Sequence, residues 1–528
     1  MRLYIDCNAK LGRSSKREPL VPYCGAELAR EMRRCVIHAA VVDNNQAADY
    51  SYVYGNAELD AECAANERLY WLAACPPTYK WEAPEGANYL INRLNSGARG
   101  VLTRPVKHRH ELDAGSLEEI ARILTERGLP LAVYCEEAPF NNLKEVLTAF
   151  PALNILLLNN SWGNLRQIFP LLDKHKNLYI DIGGNQANDL CDKVAEYFGA
   201  DRMVYSSGYP SRCMAGIKTL IEYASMSETD KDLVAYKNAC RLFKIDETSL
   251  VPYESHDLDE MELAITEGRP LNKWTVLDAH SHVIDERDAT AGVMLFNGDA
   301  DNIAVKIKRL GIQKTAFSAW EGLYGGGKRA NETVARAMEK YPGLFVGYAT
   351  ANPRYDGDIE DAIDCLKNRG FSGIKPYSQT QGLKFTDPRY APWFEYGDKH
   401  KHFALIHSSD QETANQINEI APKYPDLYFL MAHSGSSWEA ARINLALAKK
   451  HGNVMLELTY TAMTRGVVEF FVKEIGGDRV FFGTDLAMRD PGPQLAWVVF
   501  TEIPFEDKLK ILGGNMKKML DRIENKKG

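Results

Sequence analysis

The chain has 528 residues, of which 45% are hydrophobic and 25% are charged, and its formal net charge is −8. This length exceeds one ordinary domain and suits two domains of about 250 residues each, while the composition is that of a soluble globular protein. The negative charge argues against nucleic acid as the main partner, and no apolar run approaches the ~18–20 residues that span a bilayer.

The N-terminal run and the cysteines indicate the compartment. Residues 1–7 reach Asp6 after three apolar residues, which is not the pattern of a signal peptide. Ten cysteines, nine of them before residue 272, form no Cys-x-x-Cys pair, so a zinc ribbon is not expected. We therefore expect a cytoplasmic protein with reduced thiols.

Segments of the first half recur in the second half in the same order. Asp6 matches Asp278. The other matching segments are residues 131–135, 156–161, 201–208 and 238–243, with residues 403–407, 429–434, 478–485 and 515–520. The offset drifts only from about 272 to about 277 residues across the half, so the chain is interpreted as two copies of one domain.

The join between the copies is acidic and is punctuated by Pro252, Gly268 and Pro270. Such a composition is typical of a linker, within which residues 257–267 could form a short helix. We expect a first domain over residues 1–245, a linker over 246–273 and a second domain over 274–528.

In the second half, short apolar runs alternate with amphipathic stretches. The predicted strands are residues 275–279, 314–318, 344–349, 372–376, 403–407, 427–432, 453–458 and 479–483, and the predicted helices include 299–311, 329–340, 357–369, 411–421, 436–450 and 464–475. Eight strands alternating with helices over about 250 residues predict an α/β fold, a (β/α)8 TIM-like barrel in each copy. A doubly wound open sheet is the alternative.

Polar side chains follow several of these apolar runs. His280 and His282 end the first run, and residues two apart in a strand point to the same face. His407, His433 and Asp485 follow later runs. Barrels of this type place their sites at the carboxyl ends of strands. Three imidazoles and a carboxylate converging there fit a Zn²⁺-type ligand set with room for a water molecule.

Taken together, the motifs of residues 274–523 resemble the amidohydrolase superfamily, within its amidohydrolase-related branch. That branch also holds metal-dependent decarboxylases of the aminocarboxymuconate-semialdehyde type. The motifs lie at residues 278–282, 331–332, 341–347, 373–376, 432–435, 482–485 and 513–515.

The resemblance implies a role for each motif residue. His280, His282, His407 and Asp485 would bind one divalent ion, Zn²⁺ in the first place, with Mn²⁺ or Fe²⁺ as alternatives. His433 would act as the acid/base or orient the substrate, and Asp485 could instead take a proton from metal-bound water, whose pKa the ion lowers.

Lys375 and four further residues are weaker candidates. By resemblance, Lys375 is either a carbamylated bridge between two ions or a lysine that holds a substrate carboxylate or pairs with an acid. Trp320 and Tyr324 precede Gly325–Gly327 in an expected flexible loop that could close over substrate. The anion-binding candidates are Arg354 and Arg489.

The remaining histidines are expected to be structural or to lie at the surface. They are His38, His108, His110, His175, His256, His400, His402 and His451.

The first copy has lost the predicted ligands. Asn8 and Lys10 stand for His280 and His282, Cys135 for His407, Asn160 for His433, and Gly208 for Asp485. Asn and Lys are poor zinc ligands, so this copy is predicted to be a catalytically silent domain that caps, pairs with or stabilises the other. A retained pocket with Cys7, Cys135 or Lys10 as reactive groups is the alternative.

Three functions remain open on the sequence. The first is a metal-dependent hydrolase that attacks an amide, lactone or ester carbonyl of a small molecule. The second is a non-oxidative decarboxylase on the same scaffold, because both use the same ligands. The third is a non-catalytic binding or assembly protein. We expect a monomer with an internal pseudo-dimer or a homo-oligomer.

Overall fold

The computed structural model describes residues 1–15, 23–253, 258–408 and 410–524. Within it the chain divides into two units, Met1–Glu267 with Thr290–Met294, and Gly268–Ala289 with Leu295–Gly528. Residues 254–257 of the predicted linker, His256 included, lie outside the described residues. The short helix expected at 257–267 is observed as Glu260–Thr266.

The first unit is built on parallel strands that pair in chain order. They are β1 (Ile5–Leu11), β2 (Ala39–Asn44), β3 (Leu69–Trp71), β4 (Ala73–Ala74), β5 (Val101–Thr103), β6 (Leu131–Tyr134), β7 (Ile155–Leu158), β8 (Leu178–Asp181) and β9 (Met203–Val204). Leu72 separates β3 from β4, and its N–H donates to the Val42 carbonyl at 3.2 Å while Ala73 N donates to Gly100 O at 3.0 Å. The two short strands are therefore one barrel position that passes from one sheet to the next.

Backbone hydrogen bonds close the first unit into a ring. Cys7 N donates to Tyr205 O at 3.0 Å, and Gly208 N donates to Asn8 O at 2.9 Å, so β1 meets the segment after β9. The helices of this unit are α1 (Gly25–Cys35), α2 (Asn45–Asp49), α3 (Tyr52–Ala64), α4 (Tyr79–Glu82), α5 (Tyr89–Ser96), α6 (Ala114–Arg127), α7 (Phe140–Ala149), α8 (Leu165–Lys174), α9 (Leu190–Phe198), α10 (Met214–Glu222), α11 (Glu228–Asp232), α12 (Asn238–Phe243) and α13 (Glu260–Thr266).

The second unit has eight parallel strands in chain order. They are β10 (Leu277–Val283), β11 (Lys314–Ala319), β12 (Phe345–Ala349), β13 (Gly373–Ile374), β14 (Phe403–His407), β15 (Tyr428–Ala432), β16 (Val454–Glu457) and β17 (Val480–Phe481). Ala279 N donates to Phe482 O at 3.0 Å, which closes the ring as in the first unit. The predicted pair of (β/α)8 barrels is thus confirmed, and the open sheet is excluded.

Each predicted helix of the second unit is present, with small shifts at its ends. The helices are α14 (Ala300–Leu310), α15 (Gly327–Lys340), α16 (Asp358–Asn368), α17 (Ser378–Gln381), α18 (Ala391–Lys399), α19 (Gln411–Ile420), α20 (Trp438–Lys450), α21 (Val467–Ile475), α22 (Gly492–Val499), α23 (Phe505–Leu509) and α24 (Asn515–Glu524). No helix within the described ranges is long and apolar enough to cross a membrane.

Two sequence predictions need correction. His280 and His282 were expected to follow the first strand, but β10 continues to Val283, because Val283 still pairs with Ala319 of β11. The loop expected around Trp320 and Tyr324 is instead a 3₁₀ helix over Trp320–Tyr324, and only the next two residues separate it from α15.

The barrel interior of the second unit is filled by alternate strand residues, as the two-residue period of a strand requires. Leu277 and Ala279 of β10, and Phe403 and Leu405 of β14, are buried in this core. Side chains of α24, including Met516, join the same cluster from one end. Packing in this core holds the strands in place, and the opposite ends of these strands carry the polar side chains.

The same buried hydrogen bonds recur in both units. Asn177 donates its amide to the carbonyls of Leu147, Phe150 and Leu153. Asn453 donates in the same way at the corresponding position. Other pairs with equivalent bonds are Arg202 and Arg479, Asn238 and Asn515, and Asn56 and Asn331. Such repetition indicates that the duplication preserved the buried polar frame.

We predict that Asn453→Ala destabilises the protein. The amide Nδ2 serves the carbonyls of Ala421, Tyr424 and Leu427 at 3.0, 2.9 and 3.1 Å, and unsatisfied buried groups cost about 1–3 kcal/mol. The free energy of unfolding, measured by urea denaturation of the full chain, should fall by that amount. The matched variant Asn368→Ala, at an exposed helix end, should change it by less than about 0.5 kcal/mol; equal effects would contradict the prediction.

Candidate metal centre

The carboxylate of Asp278 joins β10 to the segment after β17. It accepts His280 N and Thr484 N, each at 3.0 Å, and Thr484 Oγ1 at 2.7 Å. A further hydrogen bond comes from Thr315 of β11. Burial raises the pKa of Asp278 to about 7, so these donors are what stabilise it. Asp278 therefore holds the backbone of His280 and that of Thr484, the residue before Asp485, close together. As a result, the side chains of His280 and Asp485 face the same space.

His280, His282 and Asp485 form the centre of the candidate site. His282 Nε2 lies 3.2 Å from Asp485 Oδ1, and His280 Nε2 lies 3.6 Å from the same oxygen. All three side chains are buried, and their ligand atoms lie within 4.8 Å of one another. A tetrahedral ion with bonds of about 2.1 Å separates its ligand atoms by about 3.4 Å, so this spacing fits a divalent ion.

The protonation of the imidazoles also fits a metal. Burial, together with the nearby Lys375 charge, holds the pKa values of His280 and His282 well below the usual range. Both rings are therefore neutral at physiological pH, and a neutral imidazole offers the lone pair that a metal ion needs.

Glu457, which the sequence interpretation missed, contacts the Nδ1 side of the His280 ring. Its Oε2 lies 3.1 Å from His280 Nδ1, and it also accepts His433 N at 3.3 Å and contacts the Thr459 hydroxyl. The carboxylate is fully buried, which raises its pKa to about 8. A carboxylate on Nδ1 orients the ring and leaves Nε2 toward the centre. The only signal in the sequence was an acidic residue at the end of an apolar run.

His433 and His407 contact each other beside the centre. His433 Nδ1 lies 2.8 Å from the Thr459 carbonyl, so this nitrogen carries the proton, and His433 Nε2 lies 3.2 Å from His407 Nδ1. The His407 side chain is exposed. The structure thus brings His407 to His433 rather than into the three-residue centre, and its role as a fourth ligand stays a prediction.

Lys375 lies at the floor of the site. Its Nζ is 3.2 Å from His280 Nε2 and 5.7 Å from the ring centroid of Tyr377, whose hydroxyl contacts Ser318 Oγ at 2.8 Å. The side chain is 1% exposed, and burial lowers its pKa to about 7. Among the described residues no carboxylate forms an ion pair with this ammonium.

Arg489 is used differently from the sequence interpretation. It was expected to bind a substrate anion, but its guanidinium contacts Asp485 Oδ2 from one turn further along the chain. Its Nε donates to Thr461 Oγ1 at 2.6 Å. One oxygen of Asp485 therefore faces the imidazoles while the other is held by a cation, an arrangement that suits a fixed ligand.

Aromatic rings line one side of the site. The ring of Trp320 lies 5.7 Å from His282 in an edge-on contact, and Tyr324, 69% exposed, lies 5.9 Å from Trp320. Tyr460 lies 5.4 Å from His433. Arg354 instead donates to the carbonyls of residues 381 and 382, which stabilises a neighbouring loop.

The comparisons with known proteins identify the family. The family model described as amidohydrolase matches residues 26–245 and again residues 277–522. The chain therefore belongs to the amidohydrolase family and carries its domain twice, in tandem. Among curated proteins none matches.

Several solved structures have a similar fold. A 2,6-dihydroxybenzoate decarboxylase from Rhizobium is 17% identical, with a TM-score of 0.40, over 47% of this chain and 99% of that one. A putative amidohydrolase from Staphylococcus aureus is 16% identical, with a TM-score of 0.40, over 47% and 99%. A 5-carboxyvanillate decarboxylase from Novosphingobium aromaticivorans, complexed with manganese, is 16% identical, with a TM-score of 0.40, over 48% and 97%.

We predict about one divalent ion per chain, the number that one such ligand set holds. His280→Ala and Asp485→Ala should each abolish metal binding, since each removes a ligand atom of the buried centre. Asn8→Ala, the matched change in the first unit, should leave the metal content unchanged. Elemental analysis of the purified proteins measures this, and metal retained in His280→Ala would contradict the assignment.

Glu457→Gln should weaken metal binding by about 10- to 100-fold, the usual effect of losing a carboxylate behind a ligating imidazole. The variant keeps the shape of the side chain and replaces the carboxyl group by an amide, which cannot ionise. Competition with a chelator of known affinity gives the dissociation constant. Glu439→Gln, an exposed glutamate of α20, is the control, and an unchanged constant in Glu457→Gln would refute the role.

Proposed function

We propose that the second unit is a metal-dependent decarboxylase acting on a small organic acid. The sequence placed hydrolysis first and decarboxylation second, and the surroundings of the site favour the second. The observation that carries this choice is the amino group of Lys375, buried at the floor of the site, where no carboxylate among the described residues forms an ion pair with it.

Lys375 lies where it could bind a substrate carboxylate beside the proposed metal position. Burial lowers the pKa of Lys375 to about 7, and an anion that arrives with the ligand would favour its charged form and form an ion pair with it. Its Nζ lies beside His280 Nε2, which is a proposed ligand atom. A carboxylate bound by Lys375 would therefore lie next to the ion, which supplies electrostatic stabilisation to the reacting group when bound.

The pairing of Asp485 with Arg489 weakens the hydrolytic alternative. As the base of a hydrolase, Asp485 would have to accept a proton from water. Its Oδ2 contacts the Arg489 guanidinium, and its Oδ1 faces two imidazoles. An adjacent cation favours the ionised form of a carboxylate and so makes it a poorer proton acceptor. Asp485 is better suited to binding the ion than to moving a proton.

His433 is the proposed proton carrier. Decarboxylation breaks a carbon–carbon bond, releases CO₂ and requires a proton at the carbon that is left. The Thr459 carbonyl fixes the proton on Nδ1, and Nε2 faces His407 at 3.2 Å. A proton can therefore be held between the two rings at the side of the site.

The rim indicates the shape of the substrate. Trp320, Tyr324 and Tyr460 present aromatic surface beside His282 and His433. Rings at the mouth of a charged site accommodate a planar apolar body. We therefore propose a planar carboxylic acid as the small-molecule substrate, with Zn²⁺, Mn²⁺ or Fe²⁺ as the ion.

Hydrolysis is the second candidate, because one observation favours it. With its proton fixed on Nδ1, His433 has Nε2 free of its own hydrogen and able to accept a proton from a water molecule. In this case His433 rather than Asp485 would be the base, and an ester, lactone or amide carbonyl would be attacked. A purely non-catalytic role fits less well with a buried ligand set backed by Glu457.

The test is a panel of planar carboxylic acids labelled with ¹³C at the carboxyl group, incubated with metal-loaded protein. We expect labelled CO₂, and a fall in kcat/KM of about 10- to 100-fold in Lys375→Met, the equivalent of losing one charged hydrogen bond. Lys367→Met, exposed on α16, should have no effect. Turnover of esters or lactones with no labelled CO₂ would replace decarboxylation by hydrolysis.

A further inference from the structure

The first unit keeps the backbone of the metal centre. Both β1 and β10 shift register after their aspartate, and Lys10 pairs with Asp43 as His282 pairs with Ser318. Ser207 donates to Asp6 as Thr484 donates to Asp278. Lys10 therefore occupies the position of His282 in space as well as in sequence.

Arg212 fills the space that Asp485 occupies in the second unit. Gly208 stands at the Asp485 position, with a φ of +68° close to the +64° of Asp485. A Cβ built on Gly208 would lie 2.1 Å from Arg212 Nη1. Arg212 follows Gly208 by the same interval as Arg489 follows Asp485. With no carboxylate present, the guanidinium lies where the ligand side chain would be.

Lys10 and Arg212 bring two positive charges to this place. Lys10 Nζ lies 4.8 Å from the ring centroid of Tyr134, and Arg212 Nη2 donates to Asn159 Oδ1 at 2.5 Å. Within the described ranges, neither cation forms an ion pair with a carboxylate. The divalent charge that the second unit is built to hold is replaced here by two cationic side chains.

The neighbouring carboxylates are engaged elsewhere. Asp43 and Glu137 both contact Arg104, which lies against the ring of Tyr134. Asp181, at the position of Glu457, accepts Ser206 Oγ at 2.5 Å and Asn160 Nδ2 at 2.7 Å. Glu136, which also attracts both cations, accepts Asn159 Nδ2 at 3.2 Å. These carboxylates therefore offset part of the charge of Lys10 and Arg212, but among the described residues none forms an ion pair with either cation.

Three buried polar atoms near this place have no hydrogen-bond partner among the residues that the structure describes. They are Arg212 Nε, Arg104 Nε and Asp43 Oδ1, in side chains that contact or adjoin Tyr134 and Lys10. Buried donors and acceptors are almost always satisfied in native proteins, so unpaired ones at one place indicate a missing polar partner. The unpaired donors and the two cations favour an acceptor that carries negative charge.

We propose that the first unit binds a small carboxylate at the place that corresponds to the metal ion of the second unit. Lys10 and Arg212 bind its oxygens, and a hydroxyl or amino group on the same ligand can donate to Asp43 Oδ1. A planar carboxylate suits the guanidinium of Arg212, which presents parallel N–H donors. The first unit would then be a ligand-binding domain rather than an empty copy.

Calorimetric titration of the metal-loaded full chain with acetate and with benzoate tests this. The background is Lys375→Met, which removes the proposed carboxylate-binding lysine of the second unit, and variants of the first unit in this background isolate the contribution of the first unit. We expect one saturable site, weakened by at least about tenfold in Lys10→Met and in Arg212→Gln, because each removes a charged hydrogen bond. Lys107→Met, an exposed lysine paired with Asp49, is the matched control and should bind as the background does.

Gly208→Asp provides a variant that does not remove the cluster. It places a carboxylate next to Arg212, just as Asp485 lies next to Arg489 in the second unit. An aspartate is tolerated at this backbone conformation, because Asp485 has a similar positive φ. The new carboxylate should displace the ligand and abolish binding while the melting temperature is kept. Absence of saturable carboxylate binding in the background protein would overturn the proposal, and so would binding that is equal in Lys10→Met, Arg212→Gln and Gly208→Asp.

Discussion

One buried carboxylate, Asp278, holds the candidate site together. Its oxygens accept hydrogen bonds from the backbone at His280, from the backbone and hydroxyl of Thr484, and from Thr315. These donors belong to the first, the second and the last strand regions of the barrel, so the ring is closed where the ligands stand. A charge without such donors would not be tolerated in a fully buried position. The convergence of His280, His282 and Asp485 depends on this bond set.

In the candidate metal centre, charged side chains surround the residues that Asp278 holds in place. Glu457 lies behind His280, and Arg489 holds the far oxygen of Asp485. Two of the proposed ligands, His280 and Asp485, are therefore each oriented by a partner of complementary character, which leaves the remaining atom directed at the centre. Lys375 is the exception, because it contacts a proposed ligand, His280, and among the described residues forms no ion pair with a carboxylate. This difference is the basis for proposing an anionic substrate.

The duplication separates what the fold requires from what the chemistry requires. The buried asparagines and arginines that bind backbone carbonyls are the same in both units, because unsatisfied carbonyls would destabilise either barrel. The residues at the strand ends differ, since nothing in the fold depends on them. Asp6 remains with its Ser207 partner even though no ligand set depends on it, which shows that this carboxylate serves closure of the ring as much as it serves the site.

The sequence by itself determined the duplication, the eight-strand pattern, the shared face of His280 and His282, and the positions of His433 and Asp485 after later strands, because strand periodicity fixes which side chains share a face. Tertiary structure decided the rest. Glu457 gains its role only from contact with His280, 177 residues away. Arg489, expected to bind an anion, is paired with Asp485 because a turn, in which Arg489 N donates to Asp485 O at 3.1 Å, brings them together. Lys10 comes next to the segment after β9, which leads to Arg212, only when the ring closes. The periodicity of strands and helices is a local property that can be read from the sequence. The partner of a buried charge depends instead on which distant strands become neighbours in the folded chain.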